Sequence, residues 1–444
     1  MLRFAHRYQI VLRTRVVDPK LLQDFRFDET RFRNPIIETG ADPWIIQKDE
    51  LYYYCFSDNK SSIYVSYASC PTRLAKAKKH LIWRAPKRQA YSHETWAPEL
   101  HYLDGRWYVY FAASDGNNHT HRMYVLEGDS PTGPFRFKGQ ISPSTDRWAI
   151  DGTVLEMDDG QRYFVWSGWD GHANIQQNLY IARMENPWTL VEQTVPNPVI
   201  KPLRRQTGTL LNLEVTAEEA GSYSLEILYS CTATGMQRLE INDESHLGLH
   251  YTPTGNRNWQ THFETIELVQ GCNVLRLAEG IGKVKIDKVL IRPVGHDRTM
   301  ISCPEFPWEK LGGPPYVNEG PQILRKHGRL HIVYSASGSW TDHYQLGLLT
   351  FQGGNVLEKR NWKKRGPVFA GTDRVFGPGH ASFIEYEGHD WIVYHAAKHS
   401  GAGWNRHVRM QPFFWDESGD PIFGSPWPTL QNDEATGFIR TSGA

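Results

Sequence analysis

Five copies of one short pattern restrict the fold of this chain more than any other feature. Each copy has a polar or acidic residue before an apolar run, then a turn containing Gly or acidic residues, then a second run rich in aromatic residues. This alternation and turn chemistry predict a β-hairpin. The copies span residues 41–57, 98–114, 150–167, 318–335 and 379–395. Five such hairpins in series predict an all-β chain that contains a five-bladed β-propeller.

The spacing of the hairpins predicts a second domain inserted into the propeller. Three of the four intervals between them are roughly 50 to 60 residues, and the interval between Asp151 and Glu319 is about a hundred residues longer. The extra stretch contains short candidate strands separated by Gly, Asn and Asp turns, which predicts a β-sandwich. We therefore expect an N-terminal tail or closing strand over 1–33, a propeller over 34–204 and 296–444, and an inserted sandwich over 205–295.

Carboxylates open four of the five hairpins, and this placement suggests chemistry. The innermost strands of propeller blades start around one central mouth, so Asp42, Asp151 and Glu319 should converge there from three different blades. Glycosidic bonds are commonly cut by two carboxyl groups, one a protonated acid and the other an ionised base or nucleophile. A third carboxylate can raise the pKa of the acid by repulsion. The fourth acid, Glu99, is left out of this set.

Composition excludes some classes of partner and favours sugars. Lys plus Arg and Asp plus Glu both number 49, so no net basic field is available to hold nucleic acid or an anionic membrane. No segment reaches the roughly 18 consecutive apolar residues of a membrane span. Aromatic residues make up 13% of the chain, and clefts lined with aromatic rings suit carbohydrate, although most of these rings are expected to pack between strands.

The cysteines and the N-terminus predict a cellular location. Five scattered cysteines without C-x-x-C spacing argue against a zinc site and against a disulfide framework, so we expect reduced thiols. The apolar run 10–12 near the N-terminus is too short for the core of a signal peptide. These two observations together predict a cytoplasmic protein. They leave the oligomeric state open.

The five phrases resemble those of glycoside hydrolase family 43, whose members are five-bladed propellers that invert anomeric configuration. The matching phrases occur in the family's order, one per blade, at residues 41–44, 96–99, 150–153, 318–321 and 377–380. The resemblance implies that Asp42 is the general base, Glu319 the general acid and Asp151 the modulator of that acid. An inverting enzyme would separate the carboxyl groups of Asp42 and Glu319 by about 6.5–9.5 Å.

The same resemblance implies further contacts. It places His380 near a central ion, frequently calcium, and sends Trp96 and Arg409 to the substrate. The inserted stretch resembles carbohydrate-binding modules of families 6 and 35. Its Tyr251 and Trp259 could be sugar platforms or core residues.

Function follows from the resemblance as a ranked set of hypotheses. The phrase at 334–342 resembles the arabinofuranosidase-like members, so the first hypothesis is an exo-acting α-L-arabinofuranosidase acting on arabinan, arabinoxylan or derived oligosaccharides. A β-xylosidase is the runner-up, followed by an endo-arabinanase, and a non-catalytic sugar-binding protein is the alternative from another class. The phrases expected of invertases and levansucrases are absent.

Overall fold

The computed structural model describes residues 32–429, apart from short gaps at 142, 144–145, 172–173, 192–194, 205–207, 244, 256–257, 279 and 295–297. These residues form strands and four short 3-10 helices, at Pro71–Lys76, Asn118–Thr120, Pro307–Lys310 and Lys359–Asn361. No helix within this part of the chain is long and apolar enough to cross a membrane.

In four blades, antiparallel strands follow one another in chain order, and blade 4 is joined to blade 3 in one larger sheet. Blade 1 contains β1 (Trp44–Lys48), β2 (Leu51–Ser57), β3 (Ser62–Ala68) and β4 (His80–Arg84). Blade 2 contains β5 (His93–Leu103), β6 (Arg106–Ser114), β7 (Arg122–Gly128) and β8 (Phe135–Gln140). Blade 4 contains β22 (Tyr316–Lys326), β23 (Arg329–Ala336), β24 (Gln345–Phe351) and β25 (Trp362–Phe369). Blade 5 contains β26 (Phe376–Tyr386), β27 (His389–Ala397), β28 (Arg406–Trp415) and β29 (Pro421–Ile422).

Blade 3 is interrupted by the insert before its outer strand. It contains β9 (Ala149–Glu156), β10 (Arg162–Trp169) and β11 (Gln176–Asn186), with β12 (Thr189–Leu190) and β21 (Thr299–Ser302) both paired to β11. The sequence also indicates a loop leading to blade 4 at residues 301–305, which is not what the structure shows. Instead, all four residues of β21 are buried against β11, so the insert lies inside blade 3.

The insert is a β-sandwich of two sheets around its own apolar core. The five-stranded sheet has the order β13 (Val199–Pro202), β14 (Thr209–Ala217), β19 (Gly271–Ala278), β16 (Gly235–Ile241) and β17 (Ser245–Tyr251). The three-stranded sheet has the order β18 (Gln260–Leu268), β15 (Gly221–Ser230) and β20 (Lys285–Pro293). Strand β13 pairs with β14, so the sandwich begins before the predicted boundary at 205.

The ring of blades is closed by the segment that precedes β1. Ile37 forms an antiparallel bridge with Val408 of β28, and the Asn34 side chain bonds to the backbone of Met410 in both directions. The closing contact therefore lies at 34–40, just after the predicted tail. Residues 1–31 of that tail lie outside the described residues.

The insert packs beside the end of blade 3 at which the acids lie. Gly168, near the end of β10, pairs with Ala149 at the start of β9, so the residue that follows β10, Asp170, is at this end of the blade. The Thr261 hydroxyl at the start of β18 donates to Asp170 at 3.2 Å. Arg298, just after the sandwich, donates to the carbonyl oxygen of Asp170 at 2.6 Å. The sandwich is thus attached on the side of the propeller mouth.

Candidate active site

A left-handed residue stands just before the innermost strand of blade 1 and within the first half of the innermost strand in each other blade. The φ angles are 47° at Asp42, 41° at Ala97, 55° at Asp151, 55° at Gly320 and 48° at His380. In blades 2 to 5 this residue coincides with a shift in the register between the first and second strands. A bulge of this kind re-aims side chains, and positive φ outside glycine is costly and concentrates at functional sites. The blades therefore share one device that directs side chains into the mouth.

The bulge also shows how the acids are offset. Asp42 and Asp151 are the left-handed residues themselves, whereas Glu319 comes one residue before the left-handed Gly320. The corresponding left-handed residue in blade 2 is Ala97. Glu99 therefore lies two residues after the left-handed position of its blade, whereas Asp42 and Asp151 occupy that position in theirs.

Glu99 belongs to a different layer of the central channel. It occupies the same offset after the bulge as Gln322 in blade 4, and the Gln322 amide donates to its carboxylate. His101 Nε2 lies 2.9 Å from the other carboxylate oxygen. Both carboxylate oxygens of Glu99 are therefore occupied by neighbouring side chains.

Asp42 is surrounded by two histidines and an arginine. Its Oδ1 lies 3.2 Å from His380 Nδ1, 3.2 Å from His395 Nδ1 and 3.5 Å from Arg406 Nη1. Burial favours the neutral acid, but His380, His395 and Arg406 outweigh it and hold the pKa of Asp42 below its usual range. Burial also lowers the pKa of both histidines, so Arg406 is the partner that stays charged at neutral pH. Asp42 is therefore a carboxylate.

Asp151 and Glu319 form a buried pair with the opposite behaviour. The backbone N–H of Gly320 donates to Asp151 Oδ2 at 3.1 Å, and the Tyr344 hydroxyl donates to Glu319 Oε1 at 2.9 Å. Burial, followed by the charges of Glu319 and Asp42, raises the pKa of Asp151 well above its usual range. Burial raises the pKa of Glu319 to about 7, against the hydrogen bond from Tyr344. The pair therefore keeps a proton near neutral pH while Asp42 has none.

Asn318, the residue before Glu319, is fixed by hydrogen bonds from neighbouring elements. The Ser167 hydroxyl donates to the carbonyl oxygen of Asn318 at 2.9 Å, and the Ser302 hydroxyl donates to its side-chain oxygen at 2.7 Å. The Asn318 amide donates to Glu309 Oε1 at 3.0 Å, and Glu309 is fully buried. Blade 3 and the short helix before blade 4 therefore fix the position of the acid.

The arginine beside the acids is Arg406, and the predicted Arg409 lies elsewhere. Arg406 contacts Asp42, and its guanidinium lies 5.7 Å from the centre of the Tyr344 ring. Arg409 donates to the Thr429 hydroxyl at 3.1 Å and to the carbonyl oxygen of Trp427. Arg409 therefore holds the segment after β29 in place. The prediction that Arg409 contacts substrate is wrong, because the arginine of β28 that lies at the mouth is Arg406.

Trp96 lies at the same offset in blade 2 as Glu319 in blade 4, one residue before the bulge. Its half-buried ring stacks on His121, with centroids 3.9 Å apart and planes at 22°. Trp148 and Trp169 continue this aromatic wall, stacked with centroids 4.7 Å apart. The position suits a sugar contact, and that role for Trp96 stays a prediction.

His380 is at the centre of the site, but its surroundings do not form a set of calcium ligands. Within the described ranges, no group of three or more His, Cys, Asp or Glu side chains is arranged to hold a metal ion. Calcium takes about six to eight oxygen ligands. The ring nitrogen of His380 instead faces Asp42 at 3.2 Å and Asp151 at 3.9 Å. No chemical step is assigned to an ion, and calcium beside His380 stays a prediction that elemental analysis can test.

Sequence reasoning missed three residues of the site: Tyr344, His395 and Arg406. Tyr344 and His395 stack with centroids 5.6 Å apart and planes at 7°. Gly379 is required beneath Tyr344, since a Cβ there would lie 2.3 Å from the ring. His395 pairs across the strands with Gly379, a register that could have marked it as a residue of the mouth. Tyr344 lies before β24 and has no such signal.

The chain belongs to glycoside hydrolase family 43. The model of the family described as "Glycosyl hydrolases family 43" matches residues 32–262 and 284–421. The crystal structure of an α-L-arabinofuranosidase from Lactobacillus brevis is 28% identical, covers 91% of this chain and all of that chain, and superposes with a TM-score of 0.62. The family and the five-bladed propeller predicted from sequence are confirmed.

Curated relatives cover most of the chain. "Alpha-L-arabinofuranosidase 43" of Humicola insolens is 26% identical over 89% of this chain. An "Extracellular exo-alpha-(1->5)-L-arabinofuranosidase" of Streptomyces avermitilis is 27% identical over 89% of it. The chain spans 63% of the length of each of these two relatives. A protein of the same name from Streptomyces chartreusis is 27% identical, with 83% of each chain covered.

Two of these names overturn the predicted location. Both Streptomyces relatives are named extracellular, so the expectation of a cytoplasmic protein is wrong. All five cysteines are unpaired in the structure, but free thiols do not determine the compartment.

The resemblance of the insert to carbohydrate-binding modules stays a prediction. Tyr251 is a core residue of the sandwich, because it is 1% exposed and packs edge-on against Tyr229. Trp259 is half-buried.

Proposed function

We propose that this chain is an inverting, exo-acting α-L-arabinofuranosidase that releases terminal arabinose from arabinan, arabinoxylan or their oligosaccharides. The observation that carries the proposal is the division of protonation at the mouth. Asp42 is held ionised by His380, His395 and Arg406, while the pair of Asp151 and Glu319 retains a proton. An ionised base and a protonated acid are the two groups that inverting hydrolysis needs at once.

Each acid then has one task. Asp42 takes a proton from a water molecule, whose oxygen bonds to the anomeric carbon from the face opposite the leaving group. The bond from that carbon to the leaving oxygen breaks, and Glu319 gives this oxygen its proton. Asp151 accepts a hydrogen bond from the backbone N–H after Glu319, so it orients the acid. Burial, assisted by the charge of Asp42, raises the pKa of Glu319. One water is consumed, and the released sugar has inverted configuration.

The sugar specificity is proposed from the relatives. Proteins similar over most of this chain are named α-L-arabinofuranosidases, and two are named as exo-acting on (1→5) linkages. The L. brevis enzyme, matched over its whole length, also bears this name.

Paired chromogenic substrates test the proposal. The wild type should hydrolyse an aryl α-L-arabinofuranoside much faster than an aryl β-D-xylopyranoside, and Asp42→Asn should abolish the activity. Asp158→Asn is the matched control, because the Asp158 side chain is 95% exposed and pairs only with Arg325 among the described residues. Preference for the xyloside would instead identify a β-xylosidase. Absence of activity on both would favour an endo-enzyme or a sugar-binding protein.

A further inference from the structure

Trp404 is the most exposed of the large apolar side chains that the structure describes, with 69% of its surface accessible. It lies in the loop between β27 and β28, at the end of blade 5 that carries His395 and the left-handed His380. Its indole Nε1–H donates to the Ser339 hydroxyl at 3.3 Å. An indole this exposed gains little from packing, and at the rim of the mouth its apolar face is available to a substrate.

Ser339 connects this indole to the proposed acid. The Ser339 carbonyl oxygen accepts from Arg406 Nη2, and the Arg406 guanidinium faces the Tyr344 ring. The Tyr344 hydroxyl in turn donates to Glu319 at 2.9 Å. A short series of contacts therefore links Trp404 to Glu319. A sugar ring that contacts the indole would lie on the side of the mouth that holds Arg406 and Glu319.

The two loops that carry Ser339 and Trp404 are fastened together. Asp342 accepts hydrogen bonds from the Ser400 hydroxyl at 2.6 Å and from the Gly401 N–H at 2.9 Å. The second loop is closed at its base by a bond from the Lys398 N–H to the Asn405 carbonyl oxygen at 3.0 Å. The indole is thus presented on a held loop, as a binding platform requires.

We propose that Trp404 is the platform for the leaving sugar, the unit on the far side of the scissile bond from the terminal arabinose. This inference rests on the proposed function. The acid must reach the oxygen of the leaving group, so the leaving sugar has to lie on the Glu319 side of the mouth. Its C–H face can stack on the indole, as sugars do on aromatic rings. Trp404 thereby sets a preference for oligosaccharide leaving groups over small alcohols.

Two substrates with the same terminal sugar but different leaving groups test whether Trp404 binds the leaving sugar. In α-1,5-arabinobiose the leaving group is a sugar, and in methyl α-L-arabinofuranoside it is methanol, which has no ring to stack. Trp404→Ala should lower kcat/KM for the disaccharide about tenfold or more and leave that for the methyl glycoside within about twofold. Trp404→Phe, which keeps an aromatic face, should recover part of the loss.

The control is Tyr67→Ala, which removes an aromatic ring of 41% exposure from β3 on the outer part of blade 1. It should leave both substrates unaffected. Unchanged disaccharide hydrolysis in Trp404→Ala would overturn the inference. An equal loss on both substrates would also overturn it, because that would show a general effect of the loop on Glu319. A wild type inactive on both arabinosides would overturn the proposed function together with this inference.

Discussion

The backbone N–H of Gly320 donates a hydrogen bond of 3.1 Å to Asp151 Oδ2, which ties the residue after Glu319 in blade 4 to an acid of blade 3. The bond exists because the left-handed turn at Gly320 directs its N–H toward the next blade. Two carboxyl groups from different blades are thereby held as one titrating pair, and the pH dependence of the enzyme follows from this pair.

The basic limb of the pH profile is the first prediction. Because burial raises the pKa of Glu319 to about 7, the protonated acid persists well above the pH at which an ordinary Glu ionises. The value of kcat/KM should therefore fall as pH rises through about 7. The acidic limb, set by Asp42, should lie below the usual range of a carboxyl group. Glu319→Gln, assayed with an activated aryl leaving group that needs no acid, should lose the basic limb. A wild-type profile that stays flat from pH 5 to about 9 would contradict the assignment.

Removing the Tyr344 hydroxyl tests how its hydrogen bond affects the pKa of Glu319. Its hydroxyl stabilises the ionised form of Glu319, so Tyr344→Phe should raise the pKa and move the basic limb to higher pH by about one unit or less. Tyr394→Phe is the matched control, because this buried hydroxyl bonds to Gln411 instead of an acid. A shift to lower pH in Tyr344→Phe would show that the hydroxyl stabilises the protonated form.

Substitution of the two arginines of β28 should have different effects, one on catalysis and the other on stability. Arg406→Ala removes the permanent charge beside Asp42, so kcat/KM should fall about a hundredfold and the acidic limb should move to higher pH. Arg409→Ala should instead lower the melting temperature, since it releases Trp427 and Thr429. If Arg409→Ala impaired catalysis more than Arg406→Ala, the placement of the two side chains would be wrong.

Glu309 is expected to stabilise the fold as well as the site. It is fully buried and accepts from Asn318, from the Tyr334 hydroxyl at 2.9 Å and from Lys364 at 3.0 Å. Glu309→Ala leaves the Lys364 ammonium buried without this partner, which should cost about 3–5 kcal/mol of unfolding free energy.

Denaturant unfolding measures this cost. Glu156→Gln is the control, because it breaks a surface pair with Arg162 that should be worth about 1 kcal/mol or less. Equal losses in Glu309→Ala and Glu156→Gln would contradict the account.

Sequence predicted the hairpins because alternation and turn residues are local signals. It could not place β21, since this four-residue strand is defined only by burial against β11, more than a hundred residues earlier. The offset of the acids was also hidden. A left-handed bulge shifts Glu99 two residues past Ala97, and only the pairing of strands reveals this.

The choice between Arg406 and Arg409 failed for a related reason. Residues three apart on a strand point to opposite faces, and the sequence does not indicate which face of β28 looks toward the mouth. The acids themselves were identifiable because each lies within a phrase that repeats from blade to blade.

The stereochemistry of the first product tests the central claim most directly. Hydrolysis of an aryl α-L-arabinofuranoside by a large amount of enzyme, followed by proton NMR from the first seconds, shows which anomer is released before mutarotation. If Asp42 activates water opposite a leaving group protonated by Glu319, the first signal should be that of β-L-arabinofuranose. Initial release of the α-anomer would show retention, and would contradict the roles proposed for Asp42 and Glu319.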